Sequence, residues 1–210
     1  GTALPAYYWR LDGSAVSRRS ILIVVHGGLH TQTFPTWEAY VKVMLDRGCE
    51  VLALNYRGSS GYGQGFEKMG GEAERVQNVL AARDYAVDVL GVPPGRVFLT
   101  GLSHRASLAA AAAAQGEEIG GLILVSWVGP IKGVQSRFTK PFRIIAFHGR
   151  LDAAAPENQE RVALAQFVRP AGGLLPKPQW RVFNGEGHFF YRTESWAEVY
   201  WGTIRLMEGK

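Results

Sequence analysis

Short apolar runs rich in β-branched residues alternate along this chain with longer stretches of helical period, and that alternation constrains the fold more than any other feature. Ala6 to Arg10, Ile21 to Val25, Val51 to Asn55, Val97 to Thr100, Leu122 to Val125, Arg143 to Phe147 and Gln179 to Phe183 read as strands. Most are apolar at successive positions, so both faces of the sheet must be covered, and helices crossing between parallel strands cover them. Helical stretches fall where such crossovers are needed. They are Trp37 to Arg47, Glu72 to Leu90, Ala106 to Ala114, Glu157 to Phe167 and Ser195 to Leu206, with Gly48 stopping the first and Gly91, Pro93 and Pro94 the second. The expected class is α/β, with a mostly parallel central sheet flanked by helices. Pro170 to Pro178 reads as a surface connection before the last strand, and no internal repeat is seen.

A length of 210 residues suffices for one well-buried core and would be cramped as two domains, so residues 1–210 are expected to form a single domain. Charge, glycine or proline interrupts every apolar run before the roughly 20 residues that a membrane span needs. The net charge is +5, but Lys and Arg are scattered singly or in pairs such as Arg18 and Arg19. That pattern describes a solvated surface and argues against a nucleic-acid partner. Cys49 is the only cysteine, so no internal disulfide can form; the compartment stays open, with the cytoplasm favoured. No signal peptide opens the chain, and Gly1-Thr2 reads as a processing end, before which a leader or upstream segment could have been removed.

Chemistry concentrates at the ends of three strands. Gly101-Leu102-Ser103-His104-Arg105 stands between a strand and an alanine-rich helix, the context of a nucleophile elbow. A serine on so tight a turn takes a strained backbone that pushes its hydroxyl clear of the sheet, and the helix N-terminus behind it favours developing negative charge. An ordinary helix N-cap serine is the competing reading, so a base and an orienting acid are required as well. They follow in the order serine, acid, histidine: Asp152 beyond the strand ending at Phe147, and His188 beyond the strand ending at Phe183. In open parallel sheets the site lies past the carboxyl ends of the strands, so Ser103, Asp152 and His188 are expected to converge.

The other histidines are placed differently. His26 and His148 each end a buried strand, where an imidazole more often pins a loop. His104 directly follows the serine; its side chain should point away while its backbone N–H falls where an oxyanion donor is wanted. Glu186 is ranked below Asp152 as the orienting acid because it lies so close in sequence to His188. No metal-ligand spacing is apparent, and neither metal nor cofactor is expected.

Taken together, His26-Gly27-Gly28, Asn55-Tyr56-Arg57-Gly58-Ser59-Ser60-Gly61-Tyr62-Gly63, Gly101-Leu102-Ser103, His148-Gly149 with Asp152, and Gly187-His188 resemble the prolyl oligopeptidase-like branch of the α/β hydrolases, which includes acylaminoacyl and dipeptidyl peptidases. The likeness extends from about Ile21 to the end of the chain, and the Asn55–Gly63 stretch is its most specific part. It implies an α/β-hydrolase fold and a role for the Tyr62 hydroxyl as oxyanion donor, beside the His104 N–H. Tyr56 and Arg57 are expected to anchor that loop. Two features depart from the pattern: Arg105 stands where the family usually has glycine, and nothing in these residues could form the propeller that the family's peptidases carry. Arg105 is expected either to splay to solvent, to be held by a carboxylate, or to place a cation near the pocket and favour acidic substrates.

The stretch from Ser126 to Lys140 is short for a lid, so Trp127, Val128, Ile131 and Phe138 are expected to line an open pocket, with Arg105 and Trp127 as candidate substrate-binding residues. The leading reading is a serine hydrolase cleaving small accessible esters or acyl-amides, including short peptides, through an acyl-enzyme. One alternative is the catalytic domain of a prolyl oligopeptidase-family peptidase. The other is a catalytically weakened fold acting as a ligand-binding or interaction module. The oligomeric state is left open.

Overall fold

The computed structural model describes residues 3–11, 19–27, 31–34 and 38–210. The Gly1-Thr2 start, Arg18, Gly28 and Trp37, all used in the sequence reading, lie outside the described residues. Seven strands form one sheet: β1 (Ala6–Trp9), β2 (Ser20–Val25), β3 (Cys49–Leu54), β4 (Val97–Leu102), β5 (Gly121–Val125), β6 (Arg143–Gly149) and β7 (Gln179–Phe183). Their order is β1-β3-β2-β4-β5-β6-β7, parallel throughout except that β1 runs antiparallel to β3. The chain thus moves outward from β2 to β3 and returns to place β4 on the other side of β2. That reversal opens a crevice at the carboxyl ends of β2 and β4, where a ligand can reach the sheet.

Helices cover both faces, as successive apolar positions on the strands require. The helices α3 (Glu72–Asp84), α4 (His104–Ala113) and α5 (Glu157–Val168) pack with one core layer, and α1 (Ala39–Asp46) and α6 (Thr193–Glu208) with the other. Period-two alternation is visible on β4, where Val97 and Leu99 face the first layer and Phe98 the second. The α4 alanines are buried from end to end, their small side chains letting the helix lie close on the sheet. The helical stretch read as Glu72 to Leu90 is α3 followed by a wider π turn at Tyr85–Val89. A short helix, α2 (Gln64–Glu67), directly follows the Asn55–Gly63 stretch. No helix among the described residues is long and apolar enough to cross a membrane.

Two expectations about the pocket are corrected by the packing. Trp127 is fully buried in the first core layer, its ring edge-on to Phe167 at 5.7 Å, so it does not line an open pocket. Ile131 is buried in the same layer and Phe138 packs against it, leaving only Val128 of the four substantially exposed. Because the connection is too short to arch over the sheet, its large apolar side chains turn inward, where burying an aromatic ring is most favourable.

The tightest point of the fold is where β4 turns into α4. A Cβ on Gly101 would lie 2.5 Å from the Arg105 carbonyl oxygen and 2.6 Å from the Ala106 nitrogen, both backbone atoms of the first helical turn. Gly101→Ala is therefore expected to cost about 2–3 kcal/mol of stability, as overpacking against rigid backbone does, read as a lower urea midpoint at unchanged slope. A midpoint equal to wild type would show that the turn has room to relax.

Candidate active site

Ser103 follows β4 with φ 61° and ψ −136°, a left-handed conformation unusual for a residue with a side chain. Such a backbone costs on the order of 1–3 kcal/mol and persists only where its surroundings enforce it. Here Gly101 packs beneath the turn, the Ser103 N–H donates to the Val125 carbonyl at 2.9 Å, and the Ser103 carbonyl accepts from Ala106 N–H at 3.0 Å. Ser126, at the end of β5, also has positive φ, 46°, and its N–H donates to the Phe147 carbonyl at 2.9 Å. Nothing in the sequence marks Ser126 for this; it continues the sheet ladder past the point where the strands end.

The three side chains at the three strand ends meet. His188 Nε2 lies 2.7 Å from Ser103 Oγ, and His188 Nδ1 lies 2.7 Å from Asp152 Oδ2. The other Asp152 oxygen, Oδ1, accepts the N–H groups of Ala154 at 2.8 Å and Ala155 at 3.0 Å, which holds the carboxylate in plane for the histidine. Asp152 is buried while His188 keeps a small exposed edge, so solvent reaches the imidazole and not the acid. An imidazole bound in this way has one nitrogen fixed as donor to the carboxylate and the other free to accept a proton from the hydroxyl.

Glu186 is fully occupied elsewhere. Its carboxylate accepts from Ser195 Oγ at 2.6 Å, Tyr191 N–H at 3.0 Å and Arg192 N–H at 3.0 Å, pinning the loop that carries His188 to the start of α6. Burial opposes its ionisation, but these donors and the Arg192 charge outweigh it and leave the pKa below the usual carboxylate value. His148 is completely buried on β6, paired with Glu160 of α5 and stacked 5.7 Å from Trp180. This pair straddles the loop bearing Asp152. The Glu160 partner was not foreseen from sequence because a helical glutamate at a pattern-breaking position looks like any solvated one.

Tyr62 is held by two interlocked loops. Asn55 exchanges hydrogen bonds with the Thr33 backbone, accepting its N–H at 2.8 Å and donating to its carbonyl at 3.3 Å, and Ser60 N–H donates to the Thr31 carbonyl at 3.0 Å. Asn55 Nδ2 also donates to the Tyr62 oxygen at 2.9 Å. The Tyr62 hydroxyl pairs with Tyr7 on β1 too; burial first, then Tyr7, raises its pKa, so the phenol remains protonated and able to donate. The backbone N–H of His104 opens α4 and has no acceptor within the helix, while its side chain turns to Glu72 at 3.2 Å.

Arg105 is 1% exposed, which excludes the solvent-splayed alternative. Its guanidinium lies 4.9 Å from the centre of the Tyr56 ring, with desolvation lowering its pKa. A guanidinium is planar and weakly hydrated, so an aromatic face can host it in the interior. The candidate substrate contact at Arg105 is thus turned into the protein. A cavity of about 410 Å³ between α1, α6 and the ends of β2 and β4 touches His26 and Leu102 but none of Ser103, Asp152 and His188.

The comparisons with known proteins agree with this picture. Residues 34–124 match the model described as the prolyl oligopeptidase family. Over that stretch, which is under half of the chain, the sequence is similar to the prolyl oligopeptidase family. Acylamino-acid-releasing enzyme 2 of Oryza sativa subsp. japonica is 28% identical over 91 residues, 42% of this chain and 12% of that enzyme. Among solved structures, a puromycin-hydrolyzing peptidase of Mycobacterium tuberculosis superposes with TM-score 0.82 at 18% identity, covering 99% of this chain and 38% of that one. The Pyrococcus horikoshii acylaminoacyl peptidase gives TM-score 0.77 at 16% identity, over 98% of this chain and 39% of that one. These superpositions are likenesses of fold, and the chain spans well under half of each relative's length. The family match takes in Tyr62 and Ser103 but stops before Asp152 and His188, whose part in the site rests on the distances above.

Electrostatics next to the elbow is testable. His26 Nε2 lies 2.8 Å from Ser59 Oγ, and burial, opposed by the Gly27 carbonyl and reinforced by the Arg105 charge, pushes the imidazole down to about 4. A folded value below the ordinary 6.5 means that folding favours neutral His26. The stability it contributes is full above about pH 6.5 and is lost as the pH falls from there toward about 4. Proton-detected titration should find His26 still neutral at about pH 5; titration at an ordinary histidine value would contradict the buried placement.

Proposed function

We propose that residues 1–210 are the catalytic domain of a serine hydrolase that cleaves acyl-amide and ester bonds through an acyl-enzyme, with peptides as the natural substrate class. The observation that carries the reading is His188 bridging Ser103 and Asp152 at 2.7 Å on each side. In this reading Ser103 Oγ attacks the carbonyl carbon as His188 Nε2 takes its proton. Asp152 holds the imidazole tautomer and offsets the charge of the imidazolium. The negative charge on the former carbonyl oxygen is met by the His104 N–H and the Tyr62 hydroxyl, the latter leaving Tyr7 for the stronger acceptor. Collapse of the tetrahedral species returns the proton from His188 to the leaving amine or alkoxide. Water then repeats the sequence on the acyl-serine, releasing the acid and restoring Ser103.

Peptide preference is supported by the family match and by what the relatives are called, acylamino-acid-releasing enzymes and acylaminoacyl peptidase. Exposed apolar side chains next in sequence to the acid and base, Leu151 and Phe189, suit a substrate with apolar residues on either side of the bond. A non-catalytic binding module is the weaker reading, because a fold relieved of chemistry has no reason to keep a strained serine under a histidine and an aspartate in hydrogen-bonding register.

Ser103→Ala, His188→Ala and Asp152→Asn are each expected to lower kcat by about 10⁴-fold or more while the far-ultraviolet spectrum and urea midpoint stay near wild type, and a double variant should be little worse than Ser103→Ala. A fluorophosphonate probe should label the wild type at Ser103 and leave Ser103→Ala unlabelled. Well-folded wild type that resists the probe and hydrolyses neither p-nitrophenyl esters nor N-acylaminoacyl anilides would remove the enzyme reading.

Tyr62→Phe is expected to lower kcat by about 10²–10³-fold with KM within about twofold, since the phenol tightens on the oxyanion and not on the ground-state carbonyl. A loss confined to KM would make Tyr62 a wall of the pocket.

A further inference from the structure

One buried stack connects the nucleophile turn to the loop that bears Tyr62. Arg105 is in the first turn of α4, the turn closed by the hydrogen bond from Ala106 N–H to the Ser103 carbonyl, so its Cα moves with the nucleophile. Its guanidinium sits over the ring of Tyr56, which is itself completely buried at the start of the 55–63 loop. The same ring stacks on His26 at 4.6 Å, with the planes 16° apart, and the Tyr56 hydroxyl donates to the His26 carbonyl at 3.3 Å. The Tyr56 carbonyl in turn accepts Ser59 N–H at 2.9 Å, and Ser59 Oγ meets His26 Nε2. Next to Tyr56 in the chain is Asn55, whose amide holds the Tyr62 oxygen. Helix α4 and the 55–63 loop belong to different crossovers, and this stack is a side-chain contact that joins them in the interior.

We propose that Arg105 is a positioning residue, setting the separation between the Ser103 hydroxyl and the Tyr62 phenol through the ring of Tyr56. This rests on the reading of Tyr62 as oxyanion donor. The physical case is that burying a guanidinium is costly unless its surroundings repay the lost hydration, so the stack tolerates little displacement. A long side chain with a planar cationic end, held here by burial against the Tyr56 ring, accepts that cost in exchange for a defined distance, which a small residue would leave to the loop. Loss of about 1 Å in such an alignment is enough to depress a rate by about 10²-fold without altering substrate binding.

The test is a cycle of kcat and KM for p-nitrophenyl ester hydrolysis, each rate divided by the fraction of sites titrated with a fluorophosphonate. Arg105→Met removes both charge and plane; Arg105→Lys keeps the charge without the planar face and serves if the methionine variant folds poorly. Each is made alone and in the Tyr62→Phe background. Arg105→Met is expected to lower kcat per titrated site by about 10-fold or more with KM nearly unchanged, and Arg105→Lys to fall between it and wild type. In the Tyr62→Phe background the same substitutions should cost less than about twofold, because the donor they align is already gone. An unchanged kcat per titrated site, with only the titrated fraction reduced, would make Arg105 purely structural. An equal loss in both backgrounds would mean that it acts independently of Tyr62. Either result overturns the inference while leaving the proposed function standing. A Tyr62→Phe variant with wild-type kcat would instead overturn the oxyanion assignment, and this inference with it.

Discussion

The site depends on the contact between Gly101 and the backbone of the first turn of α4. With only hydrogen at Gly101, the Arg105 carbonyl and the Ala106 amide can come within 3 Å of where a side chain would begin, and the chain reverses from strand to helix in a single residue. Ser103 absorbs that reversal as a positive φ. The hydroxyl is thereby lifted above the sheet edge while the helix N-terminus points at the same space. A looser turn would leave the serine as an ordinary helix cap, its oxygen directed at its own backbone.

Around this fixed point the remaining groups are delivered by strands and held by buried polar contacts. The ends of β4, β5, β6 and β7 are stitched together by backbone hydrogen bonds that run past the strands, from Ser103 to Val125, Ser126 to Phe147, Arg150 to Phe183 and Leu151 to Glu186. Glu186 and the His148–Glu160 pair then fix the histidine loop and the acid loop from behind. Glu186 is an interior carboxylate with its donors around it, the arrangement in which removing one member leaves the others unsatisfied. The placement of His188 between Ser103 and Asp152 is thus set by groups that lie behind it in the interior.

Strand and helix positions were legible in the sequence because they follow from periodicity and punctuation. Every strand was located to within a few residues, and Gly91 with Pro93 and Pro94 ended the long α3 stretch where expected. The order serine, acid, histidine could be read for the same reason: in a parallel sheet each residue past a strand end goes to one edge. The short helix α2 and the π turn after α3 were not legible, since both depend on small differences in backbone hydrogen bonding that local composition does not encode.

By itself, the sequence determined the α/β class, the loops on which Ser103, Asp152, His188 and Tyr62 stand, and the resemblance of those loops to one hydrolase family. Only the tertiary structure decided which way side chains turn when several environments compete for them. Trp127 went to the core and not the pocket, because a short connection brings it against Phe167 and leaves nothing above the sheet for it to cover. Arg105 went under Tyr56 and not to solvent, because an aromatic face from a loop nearly fifty residues earlier was there to receive it. Neither outcome has a local signature. Each is set by which distant surface arrives at that point, and that is known only once the sheet has brought the segments together.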